Sequence, residues 1–264
     1  MKVALGQFHV SPDWKANLAT AESLIRQAVA GGAELLVLPE GIIARDVDDP
    51  LSLLKGAQPL DGPFVSGLVG ALKGTGLTLM TTVHVPAEGG RCENVHIALS
   101  GNGIFARYVK LHLYDAFAEL ESNTVVPGTQ VPPLVEVGGF RFGMMTCYDV
   151  RFPELARRLA LDGADVLVIP AAWVKGPNKE RHWETLVTAR ALENTVYAIA
   201  VGECGPLNIG SSLVVDPLGV PLARAGEIPA LVFAELDRKR IEAARKTVPV
   251  LRNRRFAAPE LAQA

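Results

Sequence analysis

Short apolar runs closed by proline recur at a wide interval along this chain. Gly32-Ala33-Glu34-Leu35-Leu36-Val37-Leu38-Pro39 is echoed by Gly163-Ala164-Asp165-Val166-Leu167-Val168-Ile169-Pro170. Runs this short, without polar alternation, suit strands buried on both faces. Ahead of the first run, Leu18, Ala21, Leu24, Ile25 and Ala28 recur at helical spacing. Ser11 and Pro12 are expected there as N-cap and first helical residue, with Gly31 as the stop. Ahead of the second, Pro153 opens a segment with Leu155, Ala156, Leu159 and Ala160 on one helical face. Each helix follows a strand candidate, at 3–9 and 140–147, so strand–helix–strand occurs twice, each a right-handed crossover unit. Further strands are expected at 77–85, 95–100, 104–110, 196–202, 212–216 and 230–235, and a helix at 179–193. Two related halves can pack sheet on sheet with helices outside. The expected fold is a four-layer α/β sandwich; a single doubly wound sheet is the alternative.

Composition narrows the function classes. Hydrophobic residues make up 49% of the 264 positions and charged residues 20%, which fits a folded globular chain. The formal charge of -2 leaves no electrostatic footprint for nucleic acid or an anionic membrane. The one dense basic cluster, Arg252, Arg254 and Arg255, reads as solvated surface or as an internal ion-pair partner rather than a nucleic-acid patch. Three separated cysteines, Cys92, Cys147 and Cys204, argue against a disulfide framework and for a reducing compartment. The first residues lack the apolar core of a signal peptide, and no apolar run approaches the ~18 residues of a membrane span. A cytoplasmic protein is therefore expected. The histidines show no paired metal-ligand spacing, so no metal is expected.

Three reactive or charged residues fall where strands should end. Glu40 follows Pro39, Lys110 follows Tyr108-Val109, and Cys147 follows Met144-Met145-Thr146. Ligands of open α/β sheets bind beyond the carboxyl ends of strands. Taken singly, each has a bland reading: a buried inert cysteine, a surface glutamate, a snorkelling lysine. Two features favour a reactive Cys147. A helix start just beyond it would favour the thiolate, and the residues that follow, Tyr148-Asp149-Val150-Arg151, are polar for a closed core. A carboxylate can then act as base to the thiol, and an ammonium can hold an oxyanion.

The windows Leu36-Val37-Leu38-Pro39-Glu40, Tyr108-Val109-Lys110-Leu111-His112-Leu113 and Met145-Thr146-Cys147-Tyr148-Asp149-Val150-Arg151-Phe152-Pro153-Glu154 together resemble the Glu–Lys–Cys signature of the nitrilase superfamily of carbon–nitrogen hydrolases. The likeness extends through Tyr114-Asp115-Ala116-Phe117-Ala118, Glu121-Ser122, Pro170-Ala171-Ala172-Trp173-Val174, His182-Trp183, Gly202-Glu203-Cys204-Gly205 and Asn208-Ile209-Gly210, which point to amidases of that superfamily. It implies an αββα sandwich of two mixed sheets, one domain over residues 1–264, pairing as a homodimer, and no metal or organic cofactor. It also implies Cys147 as nucleophile, Glu40 as base, and Lys110 with the Tyr148 backbone N–H at the oxyanion. A second glutamate maps to Glu121, with Glu119 close by. The implied partner is a small-molecule amide carrying an α-keto carboxylate. Arg151 is the candidate to hold that carboxylate, against an ion pair with Glu154 or Asp149; Trp173 and Tyr114 either line the pocket or serve packing. A cysteine–histidine hydrolase with His182 as base would leave Glu40 and Lys110 without a role. A catalytically idle scaffold would leave all three without one.

Overall fold

A computed structural model describes residues 1–117 and 119–262; Ala118, part of one sequence window, and the side chain of Glu119 lie outside the described residues. The first half runs β1 (Lys2–Gln7), α1 (Trp14–Ala30), β2 (Leu35–Val37), α2 (Ser52–Lys55), α3 (Pro63–Leu72), β3 (Thr78–Pro86), β4 (Cys92–Ser100) and β5 (Gly103–Val109). Three short strands follow, β6 (Asp115–Ala116), β7 (Glu119–Leu120) and β8 (Val125–Val126). The second half runs β9 (Leu134–Val137), β10 (Phe140–Met144), α4 (Pro153–Asp162), β11 (Val166–Ala171), α5 (Lys179–Asn194), β12 (Tyr197–Gly202), β13 (Leu213–Val215), β14 (Pro221–Arg224), β15 (Ala230–Glu235), α6 (Arg238–Thr247) and α7 (Val250–Asn253).

These strands build two separate mixed sheets, which rules out the single doubly wound alternative. One has the order β15-β1-β2-β3-β4-β5 with β8 beside β4, the other β14-β13-β12-β11-β10-β9. Within the first, β1, β2 and β3 are mutually parallel. β4 reverses, and β5 reverses again, so β5 ends at the same edge as β2. Within the second, β10, β11 and β12 are parallel. The period of two assigns the faces. Val3 and Leu5 of β1 join the core between the sheets, while Ala4 joins the cluster that includes Ala21, Ile25 and Ala28 of α1 and Leu68 of α3. On the far side, Leu155 and Leu159 of α4 and Val187 of α5 cover the second sheet. The result is the expected αββα sandwich. Gln7 ties the sheets together: its Oε1 accepts from Ser212 N–H and Oγ (3.0 and 2.7 Å), and its Nε2 donates to the Gly226 and Ile228 carbonyls (2.8 and 2.6 Å).

Several boundaries differ from expectation, each for a local reason. The helix α1 begins at Trp14, with Asp13 rather than Ser11 as its cap. Ser11 is otherwise engaged, its N–H donating to Asn17 Oδ1 at 2.9 Å. Gly31 does end the helix, its N–H returning to the Gln27 carbonyl at 2.9 Å. Strand β10 stops at Met144, because the Thr146 N–H turns to the Asp149 carboxylate at 2.8 Å instead of a neighbouring strand. Cys147 therefore opens a single 3-10 turn, Cys147–Arg151, and the α-helix starts only at Pro153. The helices α3 and α6 and the edge strands β9 and β14 went unexpected: α3 is apolar almost throughout, and the buried stripe of α6 is only Ile241 and Ala244 among six charged residues. Among the described residues no helix is long and apolar enough to cross a membrane.

Candidate active site

Glu40, Lys110 and Cys147 converge where β2, β5 and β10 end, on the seam between the sheets. Each is almost wholly buried, at 4%, 2% and 7% exposure. Glu40 Oε1 accepts from Asn94 Nδ2 at 2.8 Å and from Lys110 Nζ at 3.0 Å. Its Oε2 accepts the Ala172 N–H at 2.8 Å, and the Cys147 thiol lies within reach of its charge. Lys110 Nζ meets a second carboxylate, Glu121, at 3.0 and 2.8 Å. Glu121 opens the short turn Glu121–Asn123 and accepts the Tyr114 N–H at 2.6 Å. One ammonium thus serves two carboxylates, one of which faces the thiol. A cavity of about 600 Å³ opens onto Cys147, Glu40, Lys110 and Glu121.

Burial pushes the Glu40 carboxyl up, but the charges of Lys110 and then Arg45 overcome it and hold the pKa at about 2. Burial pulls Lys110 down, and Glu121 and Glu40 more than reverse that. Both remain ionised at neutral pH. Cys147 moves the other way: burial, then the Glu40 charge, lift its pKa well above the ordinary thiol, against Lys110. This corrects the expectation of a thiolate favoured by a helix start. The element there is one 3-10 turn, too short for a useful macrodipole, and the resting group is a buried thiol beside a carboxylate.

The remaining expected residues separate. Tyr114 and Trp173 line the cavity. Trp173 Nε1 donates to the Lys179 carbonyl at 3.0 Å, and Lys179 Nζ donates to Tyr114 Oη at 2.7 Å. The Tyr148 N–H donates to no described turn or loop carbonyl. Arg151 lies behind the aromatic wall, its guanidinium 4.9 Å from the Trp173 ring, and is absent from the lining. Its Nε and Nη2 have no hydrogen-bond partner among the described residues, and neither Glu154 nor Asp149 forms a described ion pair with it. His182, the alternative base, sits in α5 and does not line the cavity.

Sequence reasoning missed Asn94, Ala172, Arg45, Glu203 and Lys179. Arg45 Nε pairs with the buried Glu203 at 2.8 Å, and its Nη2 donates to the Glu40 carbonyl at 3.2 Å. A signal did exist for Asn94: in β4, Asn94 and His96 alternate with Val95 and Ile97, and Asn94 pairs in register with His84. Polar side chains on an inward strand face need buried partners. Nothing local distinguished Arg45 or Ala172. Among the described residues no cluster of histidine, cysteine, aspartate and glutamate could hold a metal.

His84 and His96 are buried and neutral, burial dragging both pKa values to about 3. The unfolded chain protonates them near 6.5, so the stability each contributes is present above that pH and falls as pH drops towards 3. At pH 5 the loss is about 2 kcal/mol per histidine. Thermal melts at pH 7.5 and 5 should show a clear fall in Tm. An unchanged Tm would mean that both rings accept protons within the fold.

Comparison with known proteins agrees with this geometry. A family model described as carbon–nitrogen hydrolase matches residues 2–246. The chain is 51% identical over 261 residues to the deaminated glutathione amidase of Escherichia coli O157:H7, covering 99% of this chain and 100% of that protein. It is 34% identical to the deaminated glutathione amidase of Homo sapiens, covering 96% and 82%. Among solved structures it is similar to Saccharomyces cerevisiae Nit3, a member of branch 10 of the nitrilase superfamily, with a TM-score of 0.85, 31% identity and 97% of each chain covered.

Proposed function

The chain belongs to the carbon–nitrogen hydrolase family, within the nitrilase superfamily, and from that premise we propose that it hydrolyses deaminated glutathione, the tripeptide whose γ-glutamyl amine is replaced by a ketone, to 2-oxoglutarate and cysteinylglycine. The observation that carries the reaction is the convergence of a buried thiol, Cys147, with Glu40 and Lys110 on one cavity, Lys110 bonding both Glu40 and Glu121. Glu40 takes the thiol proton as the sulfur attacks the amide carbon. Because Glu40 is a weak base and the thiol a weak acid, the transfer is uphill alone and is coupled to attack. Lys110 and the Tyr148 N–H hold the oxyanion as the carbon becomes tetrahedral. Glu40 returns the proton to the departing amine, leaving a thioester on Cys147. Water then attacks the thioester, giving its proton to Glu40 with Glu121 orienting it. Collapse releases the acid, and Glu40 hands the proton back to the sulfur.

The likeness to amidases of deaminated glutathione over nearly the whole chain supports the substrate. So does the cavity, roomy enough for a tripeptide analogue. The keto-acid carboxylate is assigned to the cationic wall made by Lys179 in the lining and Arg151 behind Trp173, with Tyr114 beside them. Pairing of two copies follows the family pattern and would give cover to Phe256, 89% exposed in the carboxyl tail. Three unpaired cysteines fit a reducing cytoplasm.

The test is 2-oxoglutarate release from deaminated glutathione and from 2-oxoglutaramate, side by side, with Cys147→Ala as the blank. A preference for deaminated glutathione in kcat/KM of about tenfold or more, ~1.4 kcal/mol in the transition state, is expected. Preference for 2-oxoglutaramate would keep the chemistry and make the protein an ω-amidase. Turnover of neither would discard the substrate assignment.

A further inference from the structure

The turn that carries Cys147 and the loop that carries Lys110 meet at one buried carboxylate. Asp149, two residues past the nucleophile, has no exposed surface, and its two oxygens face four polar groups. Its Oδ2 accepts the Thr146 N–H and the Tyr108 hydroxyl, each at 2.8 Å. Its Oδ1 accepts the His112 N–H at 3.1 Å and faces His112 Nδ1 at 2.7 Å. The Tyr108 oxygen in turn accepts the Leu111 N–H at 2.9 Å. Residues 108, 111 and 112 bracket Lys110; Tyr108 and His112 bond Asp149 directly, Leu111 joins through the Tyr108 oxygen, and the same carboxylate holds the N–H of Thr146, the residue just before Cys147. The His112 ring also lies flat on Phe152, centroids 3.7 Å apart, which closes the far end of the turn. None of Asp149, Tyr108 and His112 lines the cavity.

This fastening meets a physical need. Cys147 has φ of 45°, in the left-handed region that side chains with a Cβ occupy only where surroundings impose it, at a cost of about 1–3 kcal/mol. The groups that impose it also fix where the sulfur sits relative to the ammonium. We propose that Asp149 is a positioning residue for hydrolysis: it sets the spacing between the Cys147 thiol and Lys110, with Tyr108 and His112 as its two arms. This rests on the roles of Cys147 and Lys110 given above.

The experiment uses Tyr108→Phe and His112→Gln, singly and together, with Tm measured on each. With deaminated glutathione, each single variant should lose kcat on the order of 10- to 100-fold, with KM held within about twofold. Both arms act through one carboxylate, so the double variant should fall no more than about threefold below the worse single. A second readout needs no substrate. Alkylation of Cys147 by iodoacetamide at pH 7 should quicken several-fold in each variant, because the relaxed turn lets the buried sulfur swing out to solvent and reagent. Opposite movement of alkylation and turnover, at near-native Tm, is what positioning predicts and general loosening does not. Single variants with kcat within about twofold of the parent, losses carried by KM, or losses that multiply in the double variant would each overturn the proposal. So would an alkylation rate that stays unchanged or slows. If Tyr108→Phe does not fold, His112→Gln decides alone, since its partly exposed ring leaves the backbone donor to Asp149 in place. If the parent turns over no deaminated glutathione, the substrate assignment fails, and the alkylation rates still decide the role of Asp149.

Discussion

A Cys147→Ala protein is expected to fold as the parent does and to release no acid above background, a loss in kcat on the order of 10⁴-fold or more. Stability should hardly change, because Glu40 keeps its bonds from Asn94, Lys110 and Ala172 when the thiol is removed. Glu40, Lys110 and Glu121 would stay assembled around a cavity with nothing to attack. Intact-protein mass spectrometry during turnover provides the check. The parent should show a transient adduct with the mass of an acyl group, and the variant none. Residual kcat in the variant above a few per cent of the parent would remove Cys147 as nucleophile, since oxyanion stabilisation and binding alone leave far less.

Lys110→Met is expected to fail twice, in turnover and in stability. The ammonium lies between Glu40 and Glu121, so its loss leaves a buried and a part-buried carboxylate facing each other with no counter-charge between them. Breaking a buried pair by removing one partner costs about 3–5 kcal/mol, and here one removal breaks two pairs. Urea unfolding should show a sharply lower midpoint, with kcat down by about 10³-fold or more for want of the oxyanion partner. Adding Glu121→Gln should recover much of the midpoint and none of the activity. A Lys110→Met protein with a parental midpoint would show that the two pairs add nothing to the stability of the fold.

The two halves and their layering were legible because a strand buried on both faces is a short apolar run, and the two such runs ending in proline are near copies. The end of β2 was legible for the same reason, since Glu40 breaks an apolar run; those of β5 and β10 close more mixed stretches, with Arg107 and Thr146 ahead of Lys110 and Cys147, and gained weight from their joint likeness to the family signature. What lay beyond reach was contact across the seam. Nothing near Ala172 tells that its N–H will satisfy Glu40, since that bond joins residues 132 positions apart. Arg45 follows no strand directly, and its partner Glu203 comes from the other sheet. Thiol acidity was misread because a local rule, a helix start beside a cysteine, was set against burial and a neighbouring carboxylate that only the assembled fold supplies. Asp149 read as part of a polar stretch, whereas its carboxylate is fully enclosed.

The bond from the Ala172 N–H to Glu40 has a consequence of a different kind. It is one of several tie lines between the two layers, with those of Gln7 to Ser212 and Arg45 to Glu203, and the one that ends on the proposed general base. Activity is therefore a gauge of how the two sheets are docked. A change that lets the layers slide by a fraction of an ångström, whether from pressure, a core substitution or mild denaturant, would detune Glu40 while every strand ladder stayed intact. Seen so, the interleaved apolar residues between the sheets are the bearing on which the base is mounted, and their fit sets the tolerance of the chemistry.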